Sequence, residues 1–151
     1  VSSFHDLAAD FCAAAGAALP LLTPDPAGVV SFNLQWQGVE IFISHVPADH
    51  PDHAFVLALF GQVPQAQQPA VWRELLRANL LLLGPDAPAF SLHPVDDQVI
   101  LQYTWPLARS SGQGLLAGVQ RMAEQALLWR RDFCLDDSAP ALPPGIMATM
   151  A

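Results

Sequence analysis

The sequence predicts an α+β fold: a mostly antiparallel, twisted sheet of about five strands with three helices, in the order α-β-β-β-α-β-β-α. Two observations carry this. Apolar residues recur at helical spacing in three separate stretches, and between them the period drops to two, in runs joined by short turns. A third sets the scale: 151 residues, 52% hydrophobic, suffice for one domain with a real core and fall short of two. Residues 1–134 are read as that domain. Residues 135–151, with Pro140, Pro143, Pro144 and Gly145, have the composition of a disordered tail.

The first helix is expected over 3–18. Phe4, Leu7, Ala8, Phe11, Cys12 and Ala15 make one buried stripe, Ser3 and Asp6 resemble a capping box, and Pro20 is the expected stop. A loop with Pro24 and Pro26 follows. A hairpin then turns at Gln37-Gly38, and its register follows from its pattern. Pairing Trp36 with Val39, Leu34 with Ile41 and Phe32 with Ile43 makes one face wholly apolar, and a one-residue slip would scramble both faces. The other face gathers Ser31, Asn33, Gln35, Glu40 and Ser44, interrupted by Phe42 and flanked by Val29 and Val46. A third strand over 54–63 is apolar on both sides, which predicts a central strand covered twice.

The second helix is expected from Pro69, which suits a first helical turn, to Leu83, with Gly84-Pro85 as the stop. It carries two stripes. Val71, Leu75, Ala78, Asn79 and Leu82 form one; Trp72, Leu76, Leu80 and Leu83 form the other. A helix apolar on two sides is buried on two sides, and its own sheet can cover only one. A further hairpin joins 89–93 to 98–105 around Pro94-Val95-Asp96-Asp97, with Val99, Leu101, Tyr103 and Trp105 facing the core. The third helix spans 113–133, and Arg130-Arg131 near its C-terminus suit the helix dipole.

Charge excludes several functions. Charged residues are 13% of the chain, the net charge is −8, and all six basic residues are Arg. Without Lys there is no P-loop lysine, Schiff-base lysine or Ser-Lys dyad. An acidic chain also lacks the basic footprint of nucleic-acid binding. No stretch reaches the ~20 apolar residues of a membrane span. The Ala-rich N-terminal stretch has no basic region and contains Asp6 and Asp10, so it is not read as a signal peptide. Cys12 and Cys134 are too few for a zinc site, and a reduced, cytosolic protein is the reading.

Candidate chemistry is sparse. His45, His50 and His53, with Asp49 and Asp52, could form a metal-dependent enzyme site; a solvated loop broken by Pro47 and Pro51 is the favoured reading. His5 and His93 stand alone, as surface or cap residues. Asn79 on an apolar stripe either makes a fixed hydrogen bond at an interface or is satisfied by nearby backbone. The excess of apolar surface stands out. In an acidic chain with few charges it points to a protein-interaction site, with Val29, Phe42 and Val46 as the residues that would contact the bound partner.

Several segments resemble class I type III secretion chaperones, the Tir-chaperone family. They are Phe4-x-x-Leu7 to Phe11-Cys12 with Gly16 behind it, Leu75-Leu76-Arg77-Ala78-Asn79-Leu80, Phe90-Ser91-Leu92-His93-Pro94, and the closing helix near Trp129. The resemblance spans residues 3 to about 134. It implies a cytosolic homodimer that binds the N-terminal region of a secreted effector and holds it extended and secretion-competent, without nucleotide, cofactor or membrane insertion. It also implies that the second helix contributes to the dimer contact, through Trp72, Leu76, Asn79, Leu80 and Leu83. The alternatives are the metal-dependent enzyme on the histidine loop and a dimeric regulatory module of the same fold. The loop 47–53 and the tail depart from the family pattern.

Overall fold

Ser3 starts the first helix, α1 (Phe4–Ala15), as expected: its hydroxyl accepts the Asp6 N–H at 3.1 Å and donates to Asp6 Oδ2 at 2.8 Å in this computed structural model, which describes residues 3–84 and 86–135. The helix ends earlier than expected. Gly16 adopts φ 67°, and the N–H groups of Gly16 and Ala17 bond the carbonyls of Ala13 and Cys12. A left-handed glycine cap ends the helix before Pro20 can act.

β1 (Val30–Trp36) and β2 (Val39–His45) form the predicted hairpin in the predicted register. Gln37 and Gly38 both take positive φ, 50° and 80°, as a two-residue turn matched to strand twist requires. β3 (His53–Gly61) pairs with β2, then the chain passes through one 3-10 turn (Gln65–Gln67) into α2 (Gln68–Leu81). β4 (Ala89–Leu92), β5 (Val99–Pro106) and α3 (Gly112–Asp132) follow. All strand pairs are antiparallel, in the order β1-β2-β3-β5-β4.

One face of the sheet holds the core. Ala54, Val56, Ala58 and Phe60 of β3, Ile41 and Ile43 of β2, and Val99 and Leu101 of β5 are fully or almost fully buried there. Leu7, Leu115, Val119, Met122 and Trp129 close over them from α1 and α3. Each buried Val, Leu, Ile, Phe or Met side chain among them contributes roughly 1.5–3 kcal/mol of hydrophobic stabilisation. Burial pushes the Cys12 thiol up, as expected of a core cysteine.

The other face overturns an expectation. β3 is covered once, not twice: Phe55, Leu57 and Leu59 are only half-buried. The reason is where the helices go. α1 packs against α3, α3 packs on β3, and α2 goes to the sheet margin beside β4. Among the described residues no helix is left for the second face.

α3 sits unusually close to its neighbours. A Cβ on Gly112 would lie 2.2 Å from the Asp10 carbonyl carbon, and one on Gly118 would lie 2.8 Å from the Trp105 ring. Ser111 caps the helix by accepting the Gly114 N–H at 3.1 Å. At the other end Arg130 does more than face the dipole. Its guanidinium donates to the carbonyls of Phe60 (2.6 Å), Leu59 (2.9 Å) and Gly38 (3.2 Å), where the β3–β5 register shifts between Leu59 and Gly61. A bulge takes carbonyls out of the ladder, and the arginine fork answers them.

Of the expected tail only Leu135 is described. It packs against the core, and its N–H donates to Glu74 Oε1 at 3.1 Å. Residues 136–151 lie outside the described residues.

Candidate functional site: an uncovered sheet face and an exposed helix stripe

The alternation of β-strands dictates what the uncovered face displays. With odd positions of β2 and even positions of β3 turned to the core, Phe42, Phe55, Leu57 and Leu59 must face the other way. Phe42 lies opposite Leu57, and Leu59 lies opposite Ile100. These four side chains, Phe42, Leu57, Leu59 and Ile100, line a shallow groove of about 220 Å³, closed at one end by His93, Asp96 and Gln98. The strip is apolar in the middle of the sheet. It turns polar toward β1, where Asn33 Nδ2 donates to Glu40 Oε1 at 3.3 Å.

The polar end is built by the β4–β5 turn. His93 Nδ1 and Asp96 Oδ1 are 2.8 Å apart, the Gln98 N–H donates to Asp96 Oδ1 at 3.2 Å, and Gln62 Nε2 donates to the Asp96 carbonyl at 3.0 Å. His93 therefore lies beside Asp96 at the rim of the groove, whereas its sequence context marks it only as a lone surface or cap residue. Asp96 and Asp97 occupy a turn, as expected, with Asp97 at φ 56°.

Of the three residues read as client-binding, Phe42 lines the groove; Val29 and Val46 do not. Their backbones belong to turns beyond the hairpin. Asp25 Oδ1 accepts the Val29 N–H at 2.9 Å, and the Val46 carbonyl accepts the N–H groups of Asp49 and His50. Leu57, Leu59 and Ile100 were missed as site residues. The signal was present: a third strand apolar on both sides, in a chain with too few helices to cover both.

The second apolar surface belongs to α2. Val71, Leu75 and Ala78 are buried against the chain, while Leu76 (70% exposed), Leu80 (39%) and Leu83 (64%) are not; the helix ends at Leu81, two residues short of the expected Leu83, which continues the stripe just past it. Pro69, Trp72, Arg73, Leu76, Arg77 and Leu80 shape an open depression on that side. Two stripes on one helix, one inward and one outward, are what the sequence pattern requires. Asn79 takes the intrachain alternative rather than an intermolecular bond: Nδ2 donates to the Phe90 carbonyl at 2.9 Å, and Oδ1 accepts the Phe90 N–H at 2.6 Å.

The histidine loop does not assemble a metal site. His45 stacks on Phe4 at 5.3 Å on the α1 side and contacts the Pro51 carbonyl through Nε2 at 3.0 Å. His50 meets the edge of Phe55 at 5.1 Å, and His53 opens β3 with the parity of the uncovered face. Among the described residues no group of three His, Cys, Asp or Glu side chains is placed to hold a metal ion. Among them, too, no helix is long and apolar enough to cross a membrane.

The same architecture occurs in solved structures. A chain of the ExsC-ExsE complex superposes with a TM-score of 0.61 at 15% identity, covering 87% of this chain and 92% of that one. A chain of the HopA1-SchA chaperone-effector complex gives 0.61 at 18% identity, with 83% and 91% covered. One from the ExoT-SpcS complex of Pseudomonas aeruginosa gives 0.51 at 15%, with 88% and 97% covered. At such identities the likeness is one of fold. No curated protein matches the sequence. The model of the Tir chaperone protein (CesT) family matches residues 7–130, from α1 to the last turn of α3, and the chain belongs to that family.

Proposed function

We propose that this protein is a cytosolic type III secretion chaperone, a homodimer that holds the N-terminal region of a secreted effector extended and secretion-competent without consuming nucleotide. The observation that carries the reading is the groove of Phe42, Leu57, Leu59 and Ile100 in the centre of a sheet face that none of the described residues covers. An unfolded segment gains affinity by seating spaced apolar side chains on such a surface, and its ordering cost of ~2–5 kcal/mol keeps the complex reversible. The net charge of −8 supports a preference for basic clients and keeps an apolar surface from self-aggregating. The outward stripe of α2 suits the dimer contact, with Trp72, Leu76, Leu80 and Leu83 apposed and Arg73 and Arg77 at the rim. Asn79, already spent on Phe90, supports that contact indirectly by fixing α2 to β4.

Two experiments test this reading. Phe42→Asp keeps the far-ultraviolet circular dichroism of the parent and weakens binding of a co-expressed effector fragment by about 2 kcal/mol, roughly 30-fold, as loss of a central apolar anchor does. Unchanged affinity would remove the groove from the site. The parent chain sediments as a dimer at micromolar concentration, and Leu76→Asp sediments as a folded monomer, because desolvating a carboxylate in the apolar contact costs more than the rim arginines Arg73 and Arg77 return. A dimer persisting in Leu76→Asp places the contact elsewhere.

A further inference from the structure

A net charge of −8 favours a basic client over the whole surface, but it does not place a cation at any one point of the groove. Such a field is screened within a Debye length of about 8 Å and sets no register. A fixed carboxylate at the end of an apolar groove does. All six arginines lie on α2, on α3 or in the 3-10 turn Leu107–Arg109, so the strands bring no permanent cation to the uncovered face. They and their turns do bring carboxylates. Glu40, two residues before Phe42 on β2, accepts from Asn33 Nδ2 and stays outside the groove. Asp96 lines its end.

Backbone and side-chain bonds hold Asp96 in place. The Gln98 N–H donates to Oδ1 at 3.2 Å, the Asp97 N–H closes the turn on the His93 carbonyl at 3.0 Å, and Gln62 Nε2 donates to the Asp96 carbonyl at 3.0 Å. Oδ2 is left with the Gln98 side-chain amide at 3.5 Å, the outer limit of a hydrogen bond. His93 Nδ1 stands 2.8 Å from Oδ1 without the alignment of a hydrogen bond, so the ring walls this end of the groove and leaves the carboxylate underused. We propose that Asp96 is the specificity residue of the groove: it takes a cationic side chain, arginine or lysine, that follows an apolar run in the client. This deepens the chaperone reading and rests on it. Phe42, Leu57, Leu59 and Ile100 seat the run, and Asp96 fixes which end of it points to the β4–β5 turn. A run followed by glutamate would set like charges at the same point and is refused.

Methyl NMR titration of the full chain tests this, with a short capped peptide of alternating leucine and serine ending in arginine as the probe. The peptide moves the methyl signals of Leu57, Leu59 and Ile100. It binds at least about fivefold more tightly than the same peptide ending in citrulline, the neutral isostere. Asp96→Asn keeps an acceptor for the Gln98 N–H and abolishes that preference. Glu124→Gln, on the exposed side of α3, makes the same change in net charge and keeps it. Should Asp96→Asn disturb the turn, the parent chain decides: the arginine peptide shifts the Asp96 carboxyl carbon signal and the citrulline peptide does not. Equal binding of the two peptides, a preference that survives Asp96→Asn, one that Glu124→Gln also abolishes, or groove methyls that stay unmoved overturns the proposal. An effector fragment that Phe42→Asp weakens and Asp96→Asn does not sinks the specificity residue and leaves the chaperone reading standing. Arginine preference at Asp96 in a chain that binds no effector fragment does the reverse.

Discussion

Gly112→Ala costs the fold about 3 kcal/mol, the upper end for an overpacked site, and lowers the melting temperature by roughly 6–12 °C. The substitution is informative because local propensity argues the other way. Gly112 is the first residue of α3, where alanine is better than glycine by up to ~1 kcal/mol. The new methyl, however, meets the backbone of Asp10 at 2.2 Å, and neither atom belongs to a side chain that can swing aside. Relief requires α3 to move off α1, which opens the core along Leu7, Phe11 and Leu115. Gly114→Ala is the control. Its nearest neighbour is the Ser111 hydroxyl at 3.2 Å, and its stability stays within about 0.5 kcal/mol of the parent. Thermal and urea denaturation read both, and a Gly112→Ala chain as stable as the parent would mean that the two helices are not in backbone contact.

Arg130→Met carries the second large loss, about 3 kcal/mol in the same denaturation experiments. Methionine keeps much of the aliphatic stem and removes all three hydrogen bonds, leaving the carbonyls of Phe60, Leu59 and Gly38 without the guanidinium. The charge-assisted bonds are the stronger kind, and the Phe60 carbonyl lies against the part-buried end of β3. Arg130→Lys recovers less than half of the loss. An ammonium is a single point and cannot reach three acceptors spread over a bulge and a turn. Full rescue by lysine would show that charge near the helix end, and not the fork, is what counts.

Much of this fold is legible in the residues because local rules and the core agree. Ser3 and Asp6 mark one helix start, Gln37-Gly38 permits only a tight turn, and the alternation from Phe32 to Ile43 admits one register. What was misread depends on residues far apart in sequence. Nothing near Gly112 announces Asp10, and nothing near Arg130 announces a bulge at Leu59. The site divides the same way. Phe42 betrayed itself by breaking a polar face, and the outward stripe of α2 by having no sheet to meet. Leu57, Leu59 and Ile100 read as ordinary strand residues until the helices were seen to share one side of the sheet. Asn79 needed Phe90, which its own helix does not predict.

The packing of α1 on α3 has a consequence for biosynthesis. The three-strand meander leaves the ribosome well before α3 exists, so its greasy inner surface stays wet until that helix has been made. A polypeptide whose task is to shelter others passes through a stage in which it needs shelter itself, and a nonsense codon between Gly61 and Gly112 yields an adhesive fragment in place of a shorter chaperone.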